Sequence, residues 1–414
     1  MRESRITGSP GTSAKKLTVR LYGRGVFAKT GVRAGGSDAT RYFRRKSGQL
    51  ILSKLDFLNG AIGLVPPELD GYESTLDMPC FDIDPSINPD WLLAHMARPA
   101  FYLRYRGSSI GSRKAVRIDV DELLASRISV PSRAEQDRVG AALQVVREAV
   151  RSHENVLERR LIAKQAVMLD LLTHGLPRGR RRMAPLSSSW SMGRVTQNIT
   201  HMPEHWELVE LRTLIRDGRV ESGHTPSREH PEYWHGGIPW LSLQDTDALE
   251  HNLVVTQTAE AVSQLGIDNS SARVLPVDTV VFSRTASVGL CARLGVPMAT
   301  SQDFANFVCG PRLEPRYLVQ VFRHMQREWR RLEEGSTHKT VYMPVFRKLK
   351  VLLPPIEEQR VIADAGEAFD IRIAMERQRL ERLRSLEGNV TQALLSGQLR
   401  LPLLTSMNPV SMVR

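Results

Sequence analysis

A long helical segment occurs twice in this chain, at a constant spacing. The first copy begins with Pro131 and Gln136, and the second begins 223 residues later with Pro354 and Gln359. The spacing continues without a gap to the end of each segment. An internal repeat of this kind predicts that one structural unit is used twice.

Each copy carries apolar residues three and four positions apart, which is typical of a helix that packs against another helix. We predict helices over residues 133–174 and 356–398. The first apolar stripe consists of Val139, Leu143, Val146, Val150, Leu157, Leu161, Met168 and Leu171. The second consists of Ile362, Ala365, Phe369, Ile373, Leu380, Leu383, Val390 and Leu394. About 40 helical residues span roughly 60 Å, so such helices would hold flanking globules at a fixed separation.

The repeat extends into the β-rich segments that precede the helices. Residues 50–54 (Leu-Ile-Leu-Ser-Lys) align with residues 280–284 (Val-Val-Phe-Ser-Arg), and Phe81 aligns with Phe307. Each match is weak alone, but their order and near-constant offsets indicate a common fold with different loops.

The pattern predicts an α+β chain with two globular domains, each followed by a long helix. The predicted order is an irregular or disordered N-terminus (1–16), a first globular domain (17–129), a first helix (130–176), a basic linker (177–201), a second globular domain (202–352), a second helix (353–400) and a tail (401–414).

The charge balance favours a polyanionic partner. Lys and Arg number 57 against 45 Asp and Glu, which gives a net charge of +12. Nucleic acid is the first candidate for such a partner, although a basic proteome background would also explain the charge alone. The three cysteines are isolated, which fits a reducing cytosol. No segment approaches the roughly 18 apolar residues of a membrane helix.

The motifs of self-contained catalysis are absent. Residues 88–91 (Asn-Pro-Asp-Trp) lack the second proline of a methyltransferase pocket, and residues 23–30 miss the spacing of a phosphate-binding loop. His224, His230 and His235 are irregularly spaced, which disfavours a metal site. We therefore predict no catalytic residue and no bound metal.

Several motifs, taken in their order along the chain, resemble those of a known protein family. Residues 353–360 read Leu-Pro-Pro-Ile-Glu-Glu-Gln-Arg, and the helix that follows closes with Leu-Leu-Ser-Gly at 394–397. The second globule opens with Met-Pro-Glu-His-Trp-Glu at 202–207 and continues through Ser-Gly-His-Thr-Pro-Ser at 222–227. In this order, over roughly residues 17–400, the chain resembles the specificity subunits of type I restriction-modification systems. The first globule departs from the family because it lacks the Pro-Glu-x-Trp opening, which is compatible with a truncated or recombined first recognition domain.

The resemblance implies two target recognition domains and two conserved spacer helices, which pack as an antiparallel coiled coil. It implies that methyltransferase subunits dock on these helices and that restriction (motor-nuclease) subunits join them. The chain would bind a bipartite double-stranded DNA target in the cytoplasm and direct adenine methylation or cleavage without catalysing either. S-adenosylmethionine, ATP and Mg²⁺ would be bound by the partner subunits, and no cofactor by this chain.

Candidate DNA-contacting side chains lie in predicted loops and suit base edges or phosphates. The candidates in the first globule are Arg24, Lys29, Lys54, Asn59, Arg113 and Lys114. Those in the second globule are His224, Thr225, Ser227, Gln244, Ser283, Arg284, Gln302, His338 and Lys339. Trp206, Trp234 and Trp240 are predicted to anchor the core or its turns rather than to stack on bases.

A coiled-coil scaffold or regulatory protein without sequence-specific DNA binding is the alternative. This alternative explains the helices, but it explains neither the duplicated globules nor the net positive charge. Salt-dependent binding to random DNA would separate the two hypotheses.

Overall fold

A computed structural model of the chain describes residues 1–29, 40–107, 117–177, 182–186, 199–218, 220–333 and 339–401. The chain forms two compact units. The first unit comprises residues 1–154 and 379–414, and the second comprises residues 155–378. These bounds differ from the predicted domains because each unit takes in part of both long helices.

The first unit contains nine short strands among its described residues. They are β1 (Arg2–Ser4), β2 (Thr7–Pro10), β3 (Leu17–Val19), β4 (Val26–Ala28), β5 (Arg41–Arg44), β6 (Leu50–Leu52), β7 (Ile62–Leu64), β8 (Glu73–Ser74) and β9 (Cys80–Asp82). The strands form a four-stranded sheet in the order β1-β9-β6-β7, a three-stranded sheet β2-β5-β8 and the hairpin β3-β4.

The second unit contains twelve strands among its described residues. They are β10 (Met183–Pro185), β11 (His201–Pro203), β12 (Glu207–Glu210), β13 (Glu221–Ser222), β14 (Trp234–Leu241), β15 (Val254–Val255), β16 (Glu260–Val262), β17 (Val280–Ser283), β18 (Cys291–Leu294), β19 (Ala299–Thr300), β20 (Phe304–Phe307) and β21 (Lys350–Leu353). They form a five-stranded sheet β13-β20-β17-β18-β15, a three-stranded sheet β16-β14-β19 and the pairs β10-β11 and β12-β21.

The helices agree closely with the sequence pattern. The short ones are α1 (Pro89–Met96), α2 (Pro99–Tyr102), α3 (Val120–Ala125), α5 (Thr246–His251), α6 (Gln264–Asp268), α7 (Pro315–His324), α8 (Gln326–Leu332) and α9 (Met343–Lys348). The two long helices are α4 (Arg133–His174) and α10 (Ile356–Ser396), which confirms both predicted helices within two residues. No helix of the described residues has an apolar stretch long enough to cross a membrane.

Within each unit, α4 and α10 run in opposite directions. In the second unit, Lys164 pairs with Asp370 at 2.5 Å and Arg160 with Glu376 at 3.7 Å. From one ion pair to the next, the residue number rises along α4 and falls along α10. The two helical segments are therefore antiparallel. Leu161, predicted to be on the apolar stripe, is 41% exposed instead. The half-buried Lys164–Asp370 pair lies between the helices one turn further on.

The strand register confirms the repeat between the globules. Leu50 lies opposite Phe81 in the first unit, and Val280 lies opposite Phe307 in the second. Successive strand residues face opposite sides of a sheet. Leu50 therefore joins the buried cluster that includes Trp91, and Val280 joins the larger cluster of the second unit.

The N-terminal segment differs from its prediction. Residues 1–16 are not disordered, since β1 pairs with β9 and β2 pairs with β5. The buried guanidinium of Arg45 donates to the main-chain oxygen of Ser4 at 2.8 Å, and Glu73 accepts from the main chain and hydroxyl of Ser9. The prediction of disorder was made from the polar composition of the segment and is wrong. Main-chain pairing and two charged side chains that are distant in sequence order it.

The predicted basic linker (177–201) also contains regular structure, since β10 within it pairs with β11. Of its arginine run, residues 178–181 lie outside the described residues.

Candidate nucleic-acid interface

Five candidate residues of the second unit converge on one end of the five-stranded sheet. Strand β17 ends at Ser283, which lies opposite Phe304 at the start of β20. Strand β13 ends at Ser222, opposite Ala305. The connections that leave these strand ends must therefore meet at the same edge, although they are distant in sequence.

The loop after β13 is tied to the turn before β20. The main-chain N–H of His224 donates to the carbonyl oxygen of Thr300 at 2.9 Å, and the hydroxyl of Thr225 hydrogen-bonds the side-chain oxygen of Gln302. His224 and Gln302 are exposed. Two predicted loops thus form one polar surface.

Arg284 and Lys339 add positive charge beside this surface. The Nε of Arg284 donates to the carbonyl oxygen of Gln302 at 2.9 Å, and the carbonyl oxygen of Lys339 accepts from the N–H of Ala286 at 3.1 Å. Lys339 also pairs with Glu333 at 3.3 Å. An exposed ammonium and a partly exposed guanidinium next to amide and hydroxyl groups suit both phosphates and base edges. We call His224, Thr225, Gln302, Arg284 and Lys339 the second sheet-end cluster.

Two tryptophans hold the loop in place. The indole N–H of Trp240 donates to the carbonyl oxygen of His224, and that of Trp234 donates to the carbonyl oxygen of Ser227, each at 3.1 Å. Both rings are buried and contact each other edge to face. The structure confirms that they are turn anchors rather than stacking platforms.

Arg228 was not among the predicted DNA-contacting residues, yet it lies in the same loop. Its guanidinium stacks on Trp234, 3.5 Å from the ring centroid, and binds Glu260 through two bonds of 2.6 and 2.8 Å. These hydrogen bonds hold the pKa of Glu260 below its ordinary value. Arg228 directly follows the predicted Thr-Pro-Ser loop, and this position in the sequence could have identified it as a candidate.

The remaining candidates of the second unit differ in their location and exposure. Ser227 is exposed in the same loop, and Gln244 is exposed on a turn that follows β14. The prediction for Ser283 is wrong, because this residue lies inside β17, is fully buried, and donates its hydroxyl to the carbonyl oxygen of Thr285. His338 lies outside the described residues.

The first unit has a similar sheet end, at which fewer of the candidate DNA-contacting residues lie. The N–H of Lys54 donates to the carbonyl oxygen of Asp77 at 2.8 Å, and the N–H of Arg284 makes the matching bond to Asp303 at 2.9 Å. Lys54 and Arg284 therefore occupy equivalent positions.

Asn59 and Arg24 are brought to this same sheet end. The carbonyl oxygen of Asn59 accepts from the N–H of Tyr22 at 2.8 Å, and the Arg24 guanidinium lies 5.9 Å from the Tyr22 ring centroid. Tyr22 is 64% exposed and has a positive φ of 58°. Lys54, Asn59 and Arg24 form what we call the first sheet-end cluster.

One described candidate of the first unit, Lys29, is not part of that cluster. Lys29 follows the end of the β3-β4 hairpin opposite to its Arg24 turn, where its N–H donates to the carbonyl oxygen of Lys16 at 2.8 Å. Arg113 and Lys114 lie outside the described residues.

Neither cluster has the geometry of a catalytic or metal site. Among the described residues, no three His, Cys, Asp or Glu side chains are grouped to hold a metal ion. Burial raises the pKa of Cys291 to about 11 and that of Cys80 to about 12, which leaves both thiols protonated and unreactive near neutral pH. The arrangement offers hydrogen-bond donors, acceptors and positive charge, which is recognition chemistry.

Gly223 sets the position of the second sheet-end cluster. A Cβ at this residue would lie well inside 3.0 Å from the main-chain oxygens of Thr300 and Ser301. We expect Gly223→Ala to push the His224 loop off the sheet end and to lower DNA affinity by about tenfold or more, since a 1.4 kcal/mol loss is already tenfold. Anisotropy of a labelled duplex measures this. Gly237→Ala is the control, because a Cβ there meets nothing within 4 Å; equal affinities for the two variants would contradict the expectation.

Comparisons with known proteins agree on one family. Residues 203–385 match the family described as type I restriction modification DNA specificity domain. The type I restriction enzyme MjaIX specificity subunit of Methanocaldococcus jannaschii is 26% identical over 175 residues, which are 42% of this chain and 40% of that protein. The HindI specificity subunit of Haemophilus influenzae is 23% identical over 159 residues, which are 38% of this chain and 33% of that protein. The chain thus matches less than half the length of these two relatives.

Solved structures share the fold over nearly the whole chain. A chain from work on complex assembly and conformational transition of the type I R-M system superposes with a TM-score of 0.53 at 17% identity, over 96% of this chain and 95% of that one. The S subunit of a type I restriction-modification system from M. genitalium gives a TM-score of 0.51 at 12% identity, over 93% and 95% of the two chains.

Proposed function

We propose that this chain is a specificity subunit of a type I restriction-modification system, as its match to the DNA specificity domain over residues 203–385 supports, and that it recognises a double-stranded DNA sequence on behalf of partner subunits. One observation carries the proposal. The two units place polar and basic loops at the same end of the same strand arrangement, with Lys54 and Arg284 in equivalent positions. A duplicated recognition surface of this kind suits a target read in two parts.

Each sheet-end cluster would read one half of the target. Arg284 and Lys54 would contact phosphates or guanine edges, and the amide and hydroxyl groups beside them would read base edges in the major groove. The net charge of +12 would add the salt-dependent, sequence-independent part of the affinity.

We infer that α4 and α10 pack along their length as an antiparallel coiled coil and serve as the spacer between the two half-sites. The ion pairs Lys164–Asp370 in the second unit and Glu154–Arg384 in the first, both at 2.5 Å, support this packing. Recognition by two rigidly spaced modules requires half-sites at a matching helical spacing. The target would therefore be two short defined sequences separated by an unspecified gap.

The partner subunits would carry the chemistry. Ile371 and Met375 lie one turn apart on α10 and are 58% and 66% exposed. This small exposed apolar patch would suit the docking of methyltransferase subunits on the spacer helices. S-adenosylmethionine, ATP and Mg²⁺ would be bound by the methyltransferase and restriction subunits, in the cytoplasm.

Mapping of methylated adenines tests the proposal. The chain is co-expressed with its neighbouring methyltransferase subunit, and methylated positions are read genome-wide. We expect one bipartite motif with a fixed gap, absent when either protein is expressed alone. A continuous motif would refute the two-part model, and methyl transfer by this chain alone would refute its non-catalytic role.

Salt-dependent binding to random duplex DNA separates this proposal from the alternative of a coiled-coil scaffold. The proposal requires that affinity fall steeply as salt rises. A scaffold without DNA binding would show no such dependence.

A further inference from the structure

The segment Arg127–Val130 of the first unit forms no strand, whereas the equivalent segment of the second unit is a paired strand. Arg127–Val130 follows α3 and belongs to no helix or strand. Within the described residues, no hydrogen bond engages its main-chain N–H and C=O groups, and Val130 is 46% exposed. An unpaired main-chain segment with an exposed apolar side chain is a template for a further strand.

The equivalent segment of the second unit is covered. It is strand β21, which pairs with β12 in antiparallel register, so that Leu353 lies opposite Glu207 and Lys350 opposite Glu210. Val351, Leu352 and Leu353 are all buried. The covering strand is part of the same chain and follows directly after Trp206.

Glu358 fixes the start of that covering strand. Its carboxylate accepts from the indole N–H of Trp206 at 3.1 Å and from the main-chain N–H of Leu176 at 2.9 Å, and it hydrogen-bonds His205 at 2.9 Å. One carboxylate thus holds three groups that lie outside its own helix. The corresponding residue in the first unit is Glu135, whose carboxylate has no hydrogen-bond partner among the described residues.

Hydrogen bonds establish the equivalence of the two edges. The N–H of Ile118 donates to the carbonyl oxygen of Lys54, and the N–H of Val341, 223 residues later, donates to that of Arg284. Beyond these bonds, α3 and α9 each begin two residues on, and each leads into the edge segment. The same spacing places Arg127 at Lys350 and Val130 at Leu353.

We propose that Arg127–Val130 and Glu135 form a docking edge for an extended segment of a second polypeptide chain. The second unit indicates the chemistry of that segment. A tryptophan would precede the strand and donate its indole N–H to Glu135, as Trp206 does to Glu358. A carboxylate four residues after the tryptophan would face Arg127, as Glu210 faces Lys350. This charge complementarity and the exposed Val130 select a strand of the type Trp-x-apolar-apolar-acidic.

A labelled peptide with the sequence of residues 202–211 tests the proposal against the full chain. The second unit already holds its own copy of this strand, and a tethered segment outcompetes a free peptide because of its high effective concentration. The peptide should therefore bind the first unit, with one peptide per chain by fluorescence anisotropy. Replacing the tryptophan of the peptide with phenylalanine, or Glu135→Ala in the chain, should weaken binding about tenfold, because a hydrogen bond to a charged group is lost. The two changes combined should weaken binding no further than either alone.

Val130→Asp and Val145→Asp form a matched pair of variants. Both valines belong to the first unit and are exposed, at 46% and 67%, so both variants should keep the melting temperature of the parent chain. Val130→Asp should weaken peptide binding by about tenfold or more, since it buries a charge under the added strand, whereas Val145→Asp on α4 should leave binding unchanged.

Three results would overturn the proposal. The first is no binding to the full chain. The second is equal binding by the Val130→Asp and Val145→Asp variants. The third is binding that occurs only after residues 402–414 are removed, because the tail of the chain itself would then be the occupant.

Discussion

Gln359→Leu is expected to destabilise the second unit by about 3 kcal/mol or more. The side chain of Gln359 is fully buried. Its oxygen accepts from the N–H of Glu314 at 2.9 Å, and its amide donates to the carbonyl oxygens of Arg312 and Pro354 at 2.9 and 2.8 Å. Leucine has a similar size but leaves three main-chain groups without partners, each at a cost of about 1–3 kcal/mol. Urea unfolding measures the change.

Gln136 occupies the same position in the first unit. Its oxygen accepts from the N–H of Asn88 at 2.8 Å, and its amide donates to Pro131 and Ser86 at 3.0 and 3.4 Å. We expect a smaller effect of Gln136→Leu, because the bond to Ser86 is long and Ser86 is exposed, so water can replace it.

Gln144→Leu on α4 is the control for both variants. Gln144 is exposed and hydrogen-bonds only the exposed Glu148 among the described residues. Its replacement should change the free energy of unfolding by no more than about 0.5 kcal/mol. If Gln359→Leu unfolded at the same urea concentration as Gln144→Leu, the glutamine would not be the link between α10 and the segment before α7.

Arg284→Glu is expected to lower affinity for duplex DNA by about tenfold or more, because it replaces a cation that faces the proposed DNA with an anion. The slope of log affinity against log salt should fall by about one unit for each lost phosphate contact. Lys54→Glu, at the equivalent position in the first unit, should lower the affinity and the salt slope in the same way. Anisotropy titrations of a random-sequence duplex over a salt series measure both quantities.

Arg372→Glu is the matched control for the charge reversal. Arg372 is exposed on α10 in the same unit, so the net charge changes equally without any change at the sheet end. Arg284→Gln separates charge from structure, since an amide can still donate to the carbonyl oxygen of Gln302. Equal affinities for the Arg284→Glu and Arg372→Glu variants would show that DNA does not bind at the second sheet-end cluster.

The sequence predicted the repeat, and the hydrogen bonds of two repeated glutamines explain why their spacing matches that of the helices. The two glutamines that mark the helix starts, Gln136 and Gln359, each clamp the chain before a short helix onto the start of a long one. A side chain with both a donor and an acceptor is needed at this position, so the same residue type recurs at the same spacing. The matching apolar runs of β6 and β17 were likewise visible, and both strands are buried along their whole length.

Other features could not be read from the chain alone. Residues 1–16 have a polar composition, yet partners that lie far away in sequence, Arg45 and Glu73, order them. Ser283 was expected in a loop, and only the strand register shows that β17 continues through it and buries it. Local composition carries no information about which distant group meets a side chain.

The sequence by itself determined the duplicated architecture, the two long helices and the absence of catalytic motifs. These depend on periodicity and spacing, which are local properties. Only the tertiary structure decided which loops converge at each sheet end, and that residues 127–130 are unpaired among the described residues while the equivalent strand β21 pairs with β12. Both depend on strand pairing between residues far apart in the chain, and the geometry of that pairing is fixed only when the sheets form.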